Sequence, residues 1–146
     1  MDEVKINHLE MIQNVITRMN SNSFLLKGWS VTIFVGLFTF ANIKDVDSRF
    51  IIIALIPTII FLILDSFFLR QERLFRHLYE DVRLENEHDF KFSMKTEKYK
   101  NKKDVSYLKV MRSITIWPCY LPLIIITLII FFINPDVTSY ISSFFD

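Results

Sequence analysis

The sequence predicts an all-α integral membrane protein: three transmembrane helices per chain with a helical cytoplasmic cap, assembled as a homo-oligomer. Three apolar stretches, at residues 24–43, 50–68 and 114–133, predict the membrane helices. About 20 mostly apolar residues are needed to cross roughly 30 Å of hydrocarbon. Only Lys27 and Asp65 are charged within these stretches. Three unbroken apolar runs of this length are not typical of the core of a soluble protein, so a soluble globular fold is disfavoured.

Residues 1–23 are predicted to form a cytoplasmic amphipathic helix. Over residues 4–19, Leu9, Ile12, Ile16 and Met19 share one helical face, and residues 20–23 offer capping side chains just before the first span. The helix could dock on the cytoplasmic domain or on a neighbouring subunit, or it could lie flat on the lipid headgroups. Its polar face lacks the Lys and Arg enrichment of surface helices, which favours docking.

Residues 24–69 are predicted to form a hairpin of two transmembrane helices. Gly28, Thr32 and Gly36 recur at intervals of four, which lets two helix backbones approach closely. The partner of this stripe could be the chain's own second span, another subunit or a pore. Pro57 removes a backbone donor and is expected to bend the second helix near mid-membrane.

Polar side chains inside the spans are candidates for a pore or for an intramembrane function. A carboxylate in the membrane is costly and usually faces protein or water, so Asp65 is a functional candidate. Alternatively, Asp65 lies at the headgroup boundary and pairs with Lys27 at a similar depth. The full set of intramembrane polar candidates is Lys27, Thr32, Thr39, Asn42 and Asp65.

Residues 70–112 are predicted to form the cytoplasmic cap. The helical pattern of the second span continues through Leu74, Leu78 and Val82 to about Glu87. An apolar stripe outside the bilayer needs a partner, and the chain is expected to be too small to cover it. The stripe therefore predicts contacts between subunits.

The distribution of Lys and Arg predicts the topology. Twelve of the 17 lie in residues 70–112, two lie in the 44–49 turn, and none follows residue 133. The positive-inside bias therefore places the N-terminus and residues 70–112 in the cytoplasm and the 135–146 tail outside. The third span, within residues 113–134, is expected to continue a helix capped by Asp104 or Ser106 and to be kinked by Pro118 and Pro122.

Basic and aromatic side chains in the cap predict a site for a nucleotide or a single-stranded nucleic acid. Cations neutralise phosphates, and aromatic rings stack on bases. The alternative is an ordinary positive-inside segment that also meets anionic lipid, since eight acidic residues dilute the basic ones. The candidate ligand-binding residues are Arg70, Arg73, Arg76, Phe90, Lys91, Phe92, Lys95, Lys98, Tyr99, Lys100, Lys102 and Lys103.

Enzymatic function is not expected. The three histidines are scattered, the only two glycines lie in the first span, and the single cysteine, Cys119, has no metal-ligand spacing. The sequence therefore predicts no catalytic residues, no metal and no cofactor.

Three segments resemble a group of small bacterial membrane proteins: residues 20–32 (NSNSFLLKGWSVT), 64–79 (LDSFFLRQERLFRHLY) and 108–115 (LKVMRSIT). These proteins are similar to the multi-span effectors that accompany nucleotidyltransferases in antiphage defence, nearest to the Hailong type. The resemblance implies an ion channel, with a tetramer favoured, that a single-stranded DNA oligomer holds closed. The partner enzyme makes this oligomer, and growth arrest follows when the oligomer is destroyed.

Two functional hypotheses follow. The first is a homo-oligomeric channel of the bacterial inner membrane, gated by a nucleotide or DNA oligomer bound to its cap. The second is a membrane anchor or adaptor without a pore, which recruits a soluble partner through its cytoplasmic helix.

Overall fold

The computed structural model describes residues 3–41, 52–86 and 91–133. These residues form four helices and short turns, without strands: α1 (Glu3–Ala41), α2 (Leu55–Leu84), α3 (Tyr107–Met111) and α4 (Trp117–Ile133). Two 3-10 turns, Glu97–Tyr99 and Lys103–Val105, lie between α2 and α3. The all-helical prediction is confirmed for these parts of the chain.

Helices α1 and α2 pack antiparallel along their length. Near one end, the Lys5 ammonium donates to the backbone oxygen of Glu85 at 2.5 Å. Further along α1, the Ser23 hydroxyl donates to Asp65, and Phe34 lies in an apolar cluster with Ala54. Each step toward the C-terminus of α1 thus matches a step toward the N-terminus of α2. At 1.5 Å per residue, the 39 residues of α1 form a helix about 58 Å long, which contacts α2 near both of its ends.

The predicted break between residues 4–19 and the first span is wrong, because α1 is continuous for 39 residues. Its buried positions include Ile12, Ile16, Ser23 and Ser30, at intervals of four and seven residues. This spacing keeps one seam against α2 on both sides of residues 20–23. Packing therefore outweighs the local capping tendency of the Asn and Ser residues, and Ser23 bonds to Asp65 instead.

The prediction for α2 is right about its extension and wrong about its bend. The helix continues past the apolar stretch and ends at Leu84, close to the expected Glu87. Pro57, however, lies in the first turn of the helix, which begins at Leu55. Proline is tolerated there because the first-turn amides have no partner within the helix. It therefore does not bend the middle of the helix.

The predicted single helix from residue 104 or 106 into the third span is also wrong. Ser106 does precede a helix, but α3 has only five residues, and residues 112–116 form turns before α4 begins. Val110 and Ile116, on either side of this interruption, are both fully buried in one cluster with Tyr120. Pro118 lies in the first turn of α4, and Pro122 lies within that helix. The chain thus turns where both apolar side chains can reach the same core.

Both α1 and α2 contain stretches long and apolar enough to cross a membrane, by length and composition. Only 17% of the most apolar window in α1 and 33% of that in α2 are buried inside the protein. A core helix of a soluble protein would be mostly covered, whereas large exposed apolar surfaces mark contact with lipid or another protein. The shorter helix α4 is also apolar, with 17 residues.

Candidate functional site: a basic cap joined to an apolar bundle

The structure has two parts that share α1 and α2. We call residues 3–22, 69–86 and 91–113 the cap, and residues 23–41, 52–68 and 114–133 the apolar bundle. Arg70, Arg73 and Arg76 and nearly all the described lysines lie in the cap, whereas the charged residues of the bundle are Lys27 and Asp65. Ligand chemistry therefore belongs to the cap and intramembrane chemistry to the bundle.

The cap has its own hydrophobic core. Leu74, Leu78 and Val82 of α2 pack against one face of α1 and against the segment that follows α2, and each is at most 4% exposed. The other buried members of this cluster are Ile12, Ile16, Tyr99 and Val105. The expectation that this stripe needs another subunit is therefore wrong. The N-terminal half of α1 packs on the rest of the cap and covers the stripe within one chain. The sequence favoured docking of this helix but left open whether its partner was the same chain or a neighbouring subunit.

Tyr99 is part of this core and does not present a free ring to a ligand. It is 2% exposed, and its hydroxyl donates to Asp81 at 2.7 Å. Lys98 pairs with the same carboxylate at 2.9 Å. Hydrogen bonds from Lys98 and Tyr99 lower the pKa of Asp81, burial raises the pKa of Tyr99, and contacts with Tyr99 and Asp81 raise the pKa of Lys98. Tyr99 and Lys98 are thus committed to holding the 97–105 segment on α2.

Arg70 and Arg73 attach the same segment to α2. The Arg70 guanidinium donates to the backbone oxygen of Val105 at 3.0 Å and lies 4.3 Å from the centre of the Tyr107 ring. Arg73 donates to the backbone oxygen of Asp104 at 2.6 Å and to the Ser113 hydroxyl at 3.1 Å. Both candidates therefore have a structural role, although Arg73 also lines two grooves.

His77 and Asp104 form a polar contact that the sequence analysis missed. Their Nε2 and Oδ2 atoms are 2.7 Å apart, and Lys102 Nζ is 3.2 Å from Nδ1 of the same imidazole. Partial burial acts to raise the pKa of Asp104, but the hydrogen bond from His77 keeps it below its ordinary value. The two residues are 27 positions apart in the sequence, so no local sequence pattern could indicate that they are in contact.

Phe92 is the candidate aromatic residue that remains available. Its ring stacks on His8 with 4.4 Å between centroids, yet 56% of the residue is exposed. Lys91 and Lys95 beside it are exposed, and they line a groove of about 420 Å³ between this segment and the end of α2. We call this the distal groove. It also contains Lys98, Asp81, Glu85 and Glu97.

The remaining cap candidates do not converge on one site. Arg76 pairs with Glu72 at 2.7 Å and leaves 62% of its side chain exposed. Lys100 is exposed and lies outside the distal groove, whereas Lys103 lines a different groove together with Arg73. Phe90 lies outside the described residues. The predicted twelve-residue site is thus divided into structural anchors, the distal groove and a second basic groove.

This second groove, the proximal groove, contains residues that the sequence analysis did not select. It has a volume of about 570 Å³. Its cationic lining is Arg73, Lys103, Lys109 and Arg112, and its other lining residues are Ser106, Leu108 and Ser113. Lys109 and Arg112 are three residues apart on a short helix and its following turn, a spacing that could have indicated a common face.

In the bundle, Lys27 and Asp65 form an ion pair with 2.6 Å between nitrogen and oxygen. Asp65 is fully buried and also accepts a hydrogen bond from Ser23, to which Lys27 donates at 2.7 Å. The pairing alternative for Asp65 is therefore confirmed. This link joins α1 and α2 close to the boundary between cap and bundle.

The other intramembrane candidates are not brought to Asp65. Thr32 and Thr39 are exposed on α1 and donate to the backbone oxygens of Gly28 and Val35, one turn earlier. Asn42 lies outside the described residues. Gly28 and Gly36 are exposed, with no atom within 4 Å of where a Cβ would lie. The alternative in which the Gly28, Thr32 and Gly36 stripe packs on the chain's own second span is therefore wrong.

No family model, curated protein or solved structure matches this chain. Among the described residues, no group of three or more His, Cys, Asp or Glu side chains could hold a metal ion.

Proposed function

We propose that this chain is one subunit of a homo-oligomeric ion channel in the bacterial inner membrane, with the cap in the cytoplasm and the C-terminus outside. Its opening would arrest growth as an effector of antiphage defence. A single-stranded DNA oligomer or a nucleotide, supplied by a partner nucleotidyltransferase, would bind the cap and hold the channel closed. The resemblance to Hailong-type effectors and the two long apolar helices support this proposal.

The observation that carries the proposal is the continuity of α1 and α2 from the cap into the bundle. Neither helix has a break at the boundary, and the Lys27–Asp65 pair joins them there. A ligand that changes how the two helices pack in the cap therefore also changes their relative tilt in the bundle. Gating requires only that the ligand binds one of two arrangements more tightly than the other.

The distal groove supports ligand binding at the end of the cap far from the bundle. Lys91 and Lys95 line the groove and supply positive charge for phosphates. Phe92 is not a lining residue, but it lies next to Lys91 in the chain and has an exposed ring for base stacking. The groove lies between residues 91–98 and the end of α2, so an occupant contacts both. Closure of this groove would pull the segment against α2 and change the packing of α1, on which Phe92 stacks through His8.

Homo-oligomerisation is supported by the exposed face of α1. One chain supplies at most three spans, which pack too closely to enclose an ion pathway, so conduction needs several copies. Gly28, Thr32 and Gly36 are exposed at intervals that allow close helix contact. A second copy of α1 on this stripe is the arrangement we propose, with four subunits as the resemblance implies.

The ligand site is tested with purified full-length protein and a mixed-sequence single-stranded DNA oligomer. We expect Phe92→Ala to weaken binding by about 1–3 kcal/mol if bases stack on the ring. Lys91→Ala/Lys95→Ala should weaken binding and flatten its salt dependence, because fewer counterions are released. The charge-matched control, Arg18→Ala/Arg83→Ala, removes two exposed arginines outside the groove and should bind normally.

The same variants are then expressed in cells. Loss of an inhibitory oligomer should make the channel toxic without infection, whereas loss of an activating ligand should make it silent. We expect toxicity from Lys91→Ala/Lys95→Ala. Unchanged DNA binding together with unchanged growth would remove the distal groove from the mechanism.

A membrane anchor without a pore is the second candidate. The cap has a core that is complete within one chain, so it can present a surface to a soluble partner without assembly. Ion flux through the purified protein in liposomes separates the two functions. Flux that depends on the protein supports the channel. Its absence, from protein that is folded and inserted, supports the anchor.

A further inference from the structure

We infer that the proximal groove is a binding site for the phosphate headgroup of an anionic phospholipid. The groove lies between α2 and the residues that lead from the 3-10 turn Lys103–Val105 into α4. It is distinct from the distal groove, and the two have no lining residue in common. The inference depends on insertion of the bundle into a membrane, but not on channel activity or on a DNA ligand.

The lining of the proximal groove is cationic. Its four charged side chains are Arg73, Lys103, Lys109 and Arg112, and two hydroxyl groups, from Ser106 and Ser113, lie beside them. No Asp or Glu is among its lining residues. The distal groove, by contrast, has three carboxylates that oppose its three lysines. The lining of the proximal groove therefore has four cationic side chains and no carboxylate, whereas lysines and carboxylates are equal in number in the distal groove.

Arg73 is held in place for this role. Its guanidinium donates to the Asp104 backbone oxygen at 2.6 Å and to the Ser113 hydroxyl at 3.1 Å. A guanidinium carries five donors in a fixed plane, so these two bonds leave three. An arginine fixed in this way binds a phosphate oxygen with little further loss of side-chain freedom.

The distance of the proximal groove from the apolar stretch of α2 favours a lipid as its occupant. Arg73 follows Phe68, the last residue of the apolar stretch in α2, by five residues. Five residues of helix correspond to about 7.5 Å. The headgroup layer is roughly 5–8 Å thick on each side of the hydrocarbon. The groove therefore begins where lipid phosphates lie.

The residues around the groove also suit a lipid. Leu108 is 71% exposed and Ile114 is 87% exposed, although both are large and apolar. They flank Lys109 and Arg112 in the sequence. Cationic side chains next to exposed apolar ones are typical of segments at the membrane surface. Acyl chains can cover Leu108 and Ile114 while the headgroup meets the cations, whereas a soluble oligonucleotide would leave both side chains in water.

The test compares three forms of the detergent-purified full-length protein by native mass spectrometry. Wild type, Lys109→Ala/Arg112→Ala and the control Arg18→Ala/Arg83→Ala each receive phosphatidylglycerol or phosphatidylcholine at matched concentrations. The wild type and the control should bind phosphatidylglycerol in preference to phosphatidylcholine. The Lys109→Ala/Arg112→Ala variant should lose this preference, with phosphatidylglycerol affinity reduced about tenfold or more. Circular dichroism checks that all three forms are folded.

Two results would overturn the inference. Equal binding of the two lipids by wild type would show that no anionic headgroup is recognised, and an unchanged preference in Lys109→Ala/Arg112→Ala would place the lipid elsewhere. A third arm adds the single-stranded DNA oligomer. If the oligomer displaces phosphatidylglycerol and itself binds Lys109→Ala/Arg112→Ala poorly, the occupant is the soluble phosphate ligand. Failure here leaves the channel proposal untouched, because that proposal is tested at the distal groove.

Discussion

At the scale of single residues, the interior of this protein contains several polar side chains with assigned partners. Lys5 donates to backbone oxygens at the end of α2, where the helix dipole favours a cation. Asp65 is paired with Lys27, and Tyr99 bonds to Asp81. Burial of such groups is tolerated only with partners of this kind. They fix which faces of the helices meet.

Buried His8 predicts a pH dependence of stability. The residue is fully buried, and burial lowers the pKa of its imidazole, with a backbone group of Ser93 and the charge of Glu85 opposing the shift. The unfolded chain therefore takes up the proton more readily. The stabilisation is complete above about pH 6.5 and is lost as the pH falls below that value.

We expect the melting temperature of wild type to fall between pH 7 and pH 5.5, and His8→Leu to show a smaller fall. The measurement is a thermal melt in detergent at each pH. Identical pH profiles for the two proteins would mean that His8 does not control this transition.

The Lys27–Asp65 pair predicts a large asymmetry between single and double substitutions. Lys27→Met leaves the buried Asp65 carboxylate without its cationic partner, and should cost about 3–5 kcal/mol. The double variant Lys27→Met/Asp65→Leu removes both charges and should recover most of the loss. Melting temperatures of the two variants and of Asp65→Leu alone complete the cycle. A double variant no more stable than Lys27→Met would argue against the pair.

At the scale of elements, the α1–α2 hairpin performs two tasks. Its cap half buries a soluble-type core, and its bundle half exposes large side chains such as Phe24, Trp29 and Ile56. Helices α1 and α2 pack on each other in both halves, along one continuous contact. Only the surface on their other sides differs between the cap and the bundle. In the proposed channel, this continuity would transmit a change in the cap to the bundle.

Substitution of Leu78 should open the cap within one subunit. The side chain is 4% exposed in the cap core, and Leu78→Ala should cost about 2–5 kcal/mol. Leu78→Asp should unfold the cap outright, because an unpaired charge would be buried there. Limited proteolysis should detect the opening. In the proposed oligomer, contacts in the bundle should still keep the subunits together in size-exclusion chromatography.

The matched control is Leu84→Ala, since Leu84 lies on the same helix but is 72% exposed. It should alter neither protease resistance nor assembly. Dissociation of Leu78→Asp into monomers with a protease-resistant cap would instead assign the stripe to a contact between subunits.

At the scale of the whole molecule, the distribution of positive charge supports the proposed orientation in the membrane. Lysines and arginines are concentrated in the cap, and few lie in the apolar bundle. This asymmetry supports the proposed orientation, in which the cap lies in the cytoplasm. Three spans, as proposed, would then leave the C-terminal tail outside.

Cysteine labelling tests this orientation. In a Cys119→Ala background, Tyr140→Cys should react with an impermeant thiol reagent added outside intact cells, because the proposed topology places the tail outside. Lys100→Cys, which is exposed in the cap, should react only after the membrane is opened. Protection of residue 140 from outside reagent, together with its labelling from the cytoplasm, would reverse the topology.

The sequence alone determined the helical class, the two long apolar helices and the extension of α2 beyond its apolar stretch. It also favoured docking of the first half of α1, either on the cytoplasmic domain or on a neighbouring subunit. Pairing of Asp65 with Lys27 was one of two alternatives. These features depend on the periodicity and length of apolar runs, which are local properties of the chain. The extension of α2, for example, was predicted from the apolar spacing within that segment alone.

Only the tertiary structure decided which surfaces meet. It placed Ile12 and Ile16 over the Leu78 stripe, turned Tyr99 into the core and divided the lysines between two grooves. Periodicity shows that a face is buried, but not what buries it, because the partner can lie anywhere in the chain. The continuity of α1 across residues 20–23 has the same cause: packing along a shared seam outweighs the capping preference of four residues.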